Sequence, residues 1–225
     1  MRHALILAAG LGERMRPLTE RTPKPLLAVG GKPLIVWQLE KLAAADVRYV
    51  VINTSHLAEQ FPDTLGDGAR WGVRIRYAYE GPLPLETGGG MRNALELLGP
   101  EPFIAVSGDV WSDVDYAALP AEPEGLAHLL MVPNPDWHPR GDFVLRDGHL
   151  HEDGPGQRLT FGNIGVYRPE LLRDQPPGRF KLLPMYQRAI RAGALSGERF
   201  DGRWHNLGTP AQLAALDSAL AAGGS

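Results

Sequence analysis

An apolar run from Leu5 to Ala9 passes without a break into Gly10, Leu11 and Gly12, and then into Glu13 and Arg14. Glycine has no Cβ, so such a turn lets backbone N–H groups approach an anion closely. Arg14 follows the turn, and Lys24 stands further along between Pro23 and Pro25. The flanking prolines restrict the backbone and hold the lysine on a stiff, non-helical segment. Fixed positive charge beside exposed N–H donors reads as a triphosphate cradle at the edge of a parallel sheet.

Other phosphate motifs are excluded by the same residues. A dinucleotide fingerprint requires a third glycine where this chain has Glu13, Arg14 and Met15. A P-loop requires Gly-Lys followed by Ser or Thr, and that triplet is missing from the sequence.

Composition narrows the class. A chain of 225 residues can bury the core of one domain without staples. The absence of cysteine removes disulfides and thiolate metal sites, which suits a cytoplasmic protein. A formal charge of −3 leaves no basic footprint for nucleic acid, so phosphate binding must rest on local charge. No apolar run is long enough to span a bilayer, and Met1-Arg2-His3 leads directly into a strand, not a signal peptide. The expectation is a soluble cytoplasmic chain, a monomer or small homo-oligomer, with neither nucleic acid nor membrane as partner.

Periodicity predicts strands at residues 4–9, 49–53, 73–79 and 103–107, alternating with helices at 34–45, 57–65 and 88–98. That alternation implies an α/β fold with a Rossmann-like, mostly parallel mixed sheet flanked by helices. Beyond it, residues 126–132, 142–145, 149–151 and 159–167 are strand-like, and helices return at 180–192 and 210–222. One domain is expected over 1–225: a nucleotide-binding core at 1–115, then a small β-rich sugar-binding part and C-terminal helix at 116–225.

Ligands of open parallel sheets sit beyond the carboxyl ends of the strands. Gly10-Leu11-Gly12, Asn53 and Gly108-Asp109 all fall at such ends. Asp109 closes an apolar strand, and a carboxylate there suits Mg²⁺, a hard cation that bridges a few protein oxygens to phosphates. Glu86-Thr87-Gly88-Gly89-Gly90 reads as a second loop passing close to a ligand. The seven histidines show no metal spacing, and no serine elbow marks a hydrolase.

The segment from Leu7 to Pro25 resembles the signature of the sugar-1-phosphate nucleotidyltransferases. The likeness continues through Leu85–Gly90, Ser107–Trp111 and Trp204–Thr209. It implies Mg²⁺-dependent uridylyl transfer from UTP to an amino-sugar 1-phosphate in peptidoglycan recycling. Arg14, Lys24 and Asp109 would be catalytic. Ala9, Gly10, Leu11, Gly12, Glu13, Arg14, Lys24, Glu80, Thr87 and Gly88 would bind the nucleotide, with Glu80 accepting the uracil N3–H. Asn53, Gly108, Asp142, Glu152 and Asn163 would face the sugar, and Lys181 or Arg140 could neutralise an acidic substituent. Asp109 and Asn206 would hold the metal, Asn206 standing where the family usually has aspartate. No C-terminal β-helix of the kind many members carry is expected. Another sugar 1-phosphate, phosphocholine as acceptor, or a non-catalytic nucleotide-sugar sensor fit the same residues.

Overall fold

A computed structural model describes residues 2–222; Met1 and residues 223–225, the ends of the expected 1–225 domain, lie outside the described residues. Strand β1 (His3–Leu7) is followed by three short 3-10 turns and a small hairpin, β2 (Ala28–Val29) and β3 (Lys32–Pro33). Then come α1 (Leu34–Ala44), β4 (Tyr49–Thr54), α2 (Gln60–Leu65), β5 (Arg74–Tyr79), α3 (Glu86–Leu98) and β6 (Phe103–Ser107). The second half adds β7 (Val110–Ser112), β8 (Ala127–Val132), β9 (Phe143–Arg146), β10 (His149–His151) and β11 (Gln157–Tyr167). It closes with α4 (Glu170–Arg173), α5 (Leu183–Arg191), β12 (Leu195–Arg199), β13 (Trp204–Asn206) and α6 (Pro210–Ala222).

Nine strands form one mixed sheet in the order β5-β4-β1-β6-β11-β8-β12-β10-β9. The first four run parallel, while β11 lies antiparallel between β6 and β8. The strand-like segments of the second half thus extend the sheet of the first. Alternate residues of β1 serve opposite faces, as strand geometry requires. Ala4 and Ile6 pack with α1 and α2 through Ile35, Leu39, Leu42 and Phe61. Leu5 packs on the other side with α3, α4 and α5 through Met91, Leu98, Leu172 and Tyr186. Being buried on both faces is what makes the run from Ala4 to Leu7 continuously apolar.

The chain order reverses at β1, with β4 and β5 to one side and β6 to the other. A crevice opens beyond strand ends at such a reversal. Here the Gly108 N–H donates to the Leu7 carbonyl at 2.8 Å, stitching the loops after β1 and β6 together.

Some element ends differ from the sequence expectation for identifiable reasons. Strand β1 stops at Leu7 because the Ala8 N–H leaves the ladder for Asn53 Oδ1, at 2.6 Å. Helix α2 starts at Gln60, since Leu57 holds φ 49°, outside the right-handed helical range. Helix α5 starts at Leu183, not Phe180, because Phe180 exchanges backbone hydrogen bonds with α3 and its flank. Strand β12 gave no periodic signal in sequence, yet it pairs parallel with β8. Its Gly197 leaves room for the Leu129 carbonyl, which an added Cβ would meet at 2.8 Å.

Candidate active site

A cavity of about 780 Å³ lies over the carboxyl ends of β1, β4, β5 and β6. The turn from Ala9 to Arg14 forms one wall of it. Gly12 turns the chain with φ 64°, a conformation natural to glycine. Thr19 locks that turn, its hydroxyl donating to the Gly12 carbonyl at 2.9 Å. No atom lies within 4 Å of where a Cβ on Gly10 would stand, so the backbone there is open to a ligand.

Two cations face this wall in different states. Lys24 is 9% exposed, and its Nζ stands 2.6 Å from Asp109 Oδ2. Arg14 is exposed and makes no ion pair among the described residues, its guanidinium lying against Gly208. A Cβ at Gly208 would stand 3.1 Å from Arg14 Cζ, so the exposed guanidinium would have to shift by a few tenths of an ångström to admit it. Asp109 is fixed from behind. The buried Gln38 amide donates to the next carbonyl, that of Val110, at 2.5 Å, and Tyr116 hydroxyl donates to Gln38 Oε1.

The pairing of β13 with β7 sets Asn206 opposite Val110, the residue after Asp109, although Asn206 does not itself line the cavity. The Leu207 N–H donates to the Asp109 carbonyl at 3.0 Å. Asn206 Oδ1 is buried and has no hydrogen-bond partner among the described residues. The unpartnered Asn206 oxygen, next to the residue whose N–H bonds the Asp109 main chain, and the Asp109 carboxylate are hard oxygen donors of the kind Mg²⁺ takes.

A second network spans the cleft floor. Asn53 Oδ1 accepts from the Ala8 N–H, and Asn53 Nδ2 donates to Glu80 Oε1 at 2.5 Å. Glu80 Oε2 accepts from the Leu85 N–H at 2.7 Å. Burial raises the Glu80 carboxyl above its usual range, and the hydrogen bonds from Leu85 and Asn53 only partly offset that.

Residues 3–132 match the nucleotidyl transferase family, more than half of the chain. The chain belongs to that family. It is 46% identical over 218 residues to the N-acetylmuramate alpha-1-phosphate uridylyltransferase of Neisseria meningitidis serogroup B, covering 93% of this chain and 94% of the relative. It is 36% identical to the protein of that name from Caulobacter vibrioides, covering 97% and 96%. The fold superposes on the inositol-1-phosphate CTP transferase of T. maritima with a TM-score of 0.78, over 100% of this chain and 98% of that one, at 18% identity. This is the α/β nucleotidyltransferase fold, a mixed sheet flanked by helices.

In this nucleotidyltransferase the three glycines that start α3 serve protein packing. A Cβ on Gly88 would stand 2.6 Å from the Phe180 ring, and one on Gly89 would stand 2.2 Å from the Gly178 carbonyl oxygen. One on Gly90 would meet Glu80 Oε1 at 2.3 Å and Asn53 Nδ2 at 2.7 Å. Of the nucleotide contacts expected in this loop, Thr87 lines the cavity and Gly88 is buried and does not; the close approaches are what the missing side chains allow within the protein. They admit the strap 178–180 and the floor network to the helix.

The sugar-side residues are placed unevenly. Asn53 and Asp109 line the cavity, and Gly108 is buried beneath it with Pro25 and the Leu7 carbonyl close by. Asp142 lies outside the cavity lining, accepting from the Phe161 N–H at 2.8 Å with His138 at 3.0 Å from its other oxygen. Glu152 is outside it too, held by Arg191 and Gln187 of α5, each at 3.0 Å. Asn163 sits with φ 57° at the bulge where β11 changes register against β8, a place where bulges re-aim side chains. Lys181 and Arg140 do not line the cavity, whereas Arg179 does, bonded to Glu86 at 2.8 Å. Sequence reasoning missed Arg179, which follows a glycine outside any periodic element. It missed Gly208 as well, although the Leu207-Gly208-Thr209 segment had been read as part of a motif.

Proposed function

We propose that this nucleotidyltransferase moves the uridylyl group of UTP to N-acetylmuramate α-1-phosphate, giving UDP-N-acetylmuramate and pyrophosphate in peptidoglycan recycling. One observation carries the chemistry: Lys24 and Asp109, 2.6 Å apart, face a glycine-rich turn in a cleft that also holds an unpaired arginine. The choice of nucleotide and sugar is supported by the names of the two relatives that align along most of the chain.

An oxygen of the sugar phosphate attacks the α-phosphorus of UTP. The new P–O bond forms as the bond to the bridging oxygen breaks, and pyrophosphate leaves with that electron pair. The attacking phosphate is already an anion, so the chain has no strong base to supply. Its contribution is positioning and charge neutralisation. Backbone N–H groups from Ala9 to Glu13 and the Arg14 guanidinium bind the β- and γ-phosphates, while Lys24 holds the reacting phosphates. Glu80 accepts the N3–H of uracil, and Thr87 and Gly88 flank the base. Asp142, Glu152 and Asn163 belong to the acceptor lobe. Held by Asp109 and Asn206, Mg²⁺ would neutralise charge on the phosphate oxygens. The reaction belongs in the cytoplasm, where UTP is made, and asks no more of the chain than a monomer or small homo-oligomer.

The test is pyrophosphate release with Mg²⁺, crossing the common nucleoside triphosphates against N-acetylmuramate, N-acetylglucosamine and glucose 1-phosphates and phosphocholine. Turnover confined to UTP and N-acetylmuramate 1-phosphate is expected. Preference for another pair would replace the substrates and keep the chemistry. Silence across the panel with nucleotide-sugar binding intact would overturn catalysis itself.

A further inference from the structure

Glu86 holds φ 63° at the first residue of α3, on the cavity wall. Left-handed backbone is natural to glycine and tolerable for asparagine and aspartate, whose short side chains bond locally, but it is strained for glutamate. On both sides of Glu86 the chain is tied down. The Leu85 N–H donates to Glu80, and the Leu85 carbonyl accepts from the Phe180 N–H at 3.1 Å. Past it, the Gly89 N–H donates to the Phe180 carbonyl, also at 3.1 Å. The strap 178–180 therefore brackets the strained residue, and its own Arg179 donates from Nη2 to Glu86 Oε1 at 2.8 Å.

We propose that Arg179 is a positioning residue for the loop from Glu80 to Thr87: its bond to Glu86 holds a left-handed turn that sets the edge of the nucleotide-base pocket. The inference rests on the uridylyl reading above. An exposed ion pair ordinarily contributes little. This one is attached to a residue whose backbone would otherwise relax toward the right-handed region, carrying the N–H groups of Glu86 and Thr87 with it. Glycine at position 86 would adopt the same turn without an anchor. The arginine is needed because a glutamate stands there.

Steady-state kinetics with the sugar 1-phosphate, over a range of UTP concentrations, test this in the wild type and four variants. Arg179→Ala should raise the KM for UTP by about three- to fivefold, the most a pair this exposed supports, and leave kcat within about twofold, the mark of lost binding in ground and transition states alike. Inhibition by inorganic tripolyphosphate should not change, because that anion occupies the glycine-rich turn and has no base. Glu86→Gly should stay near wild type, and the double variant Glu86→Gly/Arg179→Ala should recover to within about 1.5-fold of it. The Arg179 side chain is 66% exposed, so folding should survive; Arg179→Gln, which keeps the stem, is the second variant. An unchanged KM in both Arg179 variants, or a double variant as impaired as Arg179→Ala, would overturn the proposal. A wild type inactive with UTP would overturn the uridylyl reading as well, and so separates the two failures.

Discussion

The glycine-rich turn and the proposed acceptor lobe use their polar groups differently. Around the glycine-rich turn Arg14 and Lys24 face the cavity: among the described residues Arg14 has no carboxylate partner, while Lys24 meets Asp109, and nearby the buried Asn206 oxygen is unsatisfied. In the proposed acceptor lobe, Asp142 and Glu152 lie outside the cavity and bond to their own protein, through Phe161, His138, Gln187 and Arg191. Binding a triphosphate needs main-chain donors and fixed charge, which one short stretch of chain can supply. A sugar is read by single side chains from several strands, whose roles appear only once the fold assembles them.

The sharpest way to break this contrast is Lys24→Ala. Removing one preorganised donor to developing charge typically costs about 10²–10³ in turnover. Lys24 also pairs with the proposed metal ligand, so kcat from pyrophosphate release should fall by about 10³. Asp109 is 30% exposed and can be hydrated when left alone, so the melting temperature should shift by only a few degrees. A variant within tenfold of wild type would remove Lys24 from the chemistry and take away the nucleotide side's claim to special construction.

Gly90→Ala should come next. The added carbon would stand 2.3 Å from Glu80 Oε1 and 2.7 Å from Asn53 Nδ2, both pinned by hydrogen bonds. Overpacking of this kind costs about 1–3 kcal/mol. With Glu80 displaced, the KM for UTP should rise about tenfold, or 1.4 kcal/mol in binding. Gly10→Ala is the matching control. It has open space around it, so its stability should change by less than about 0.5 kcal/mol, and any rise in KM would report a ligand lying against that backbone.

The nucleotide half was legible because its signals are local. Buried parallel strands read as apolar runs, and the turn at Gly10 and Gly12 with Arg14 and Lys24 declares its charge in one stretch. The interior of the site was less so. Gly88 to Gly90 were visible, but their partners Phe180, Gly178, Glu80 and Asn53 are distant in sequence or carry no motif. Strand β12 stayed hidden because Leu195–Arg199 is short, holds a glycine and depends on pairing with β8 for its conformation. Glu152 was readable as a carboxylate near a strand, but nothing in its neighbourhood pointed to α5 as its partner.

Glu80 should give a smaller, pH-dependent effect. In the proposed role its carboxylate accepts the uracil N3–H; once protonated it loses much of that capacity. Burial raises its pKa above 4.5, so the KM for UTP should climb severalfold as the pH falls toward the Glu80 range, sooner than an ordinary glutamate would cause. Stability has the opposite slope. A folded pKa above the unfolded one means that the native state binds more protons between the two, so stability falls as the pH rises through that window. Glu80→Gln should flatten both profiles. A KM profile unaltered in that variant would take Glu80 out of base recognition.

Glu152→Gln should have the least effect. Its partner Arg191 is 68% exposed and Glu152 itself 33%, the setting in which an ion pair contributes about 0–1 kcal/mol. For a chain of this size that is at most about 2–4 °C in melting temperature. Gln187 and Arg191 both donate to the carboxylate, and a neutral glutamine oxygen can still accept from one of them. With the carboxylate engaged by α5, the kcat/KM for the sugar 1-phosphate should stay within about twofold, a change of about 0.4 kcal/mol in transition-state binding. A tenfold loss would mean that the acceptor draws Glu152 away from α5, and that this lobe carries a recognition group as directly as the glycine-rich turn does.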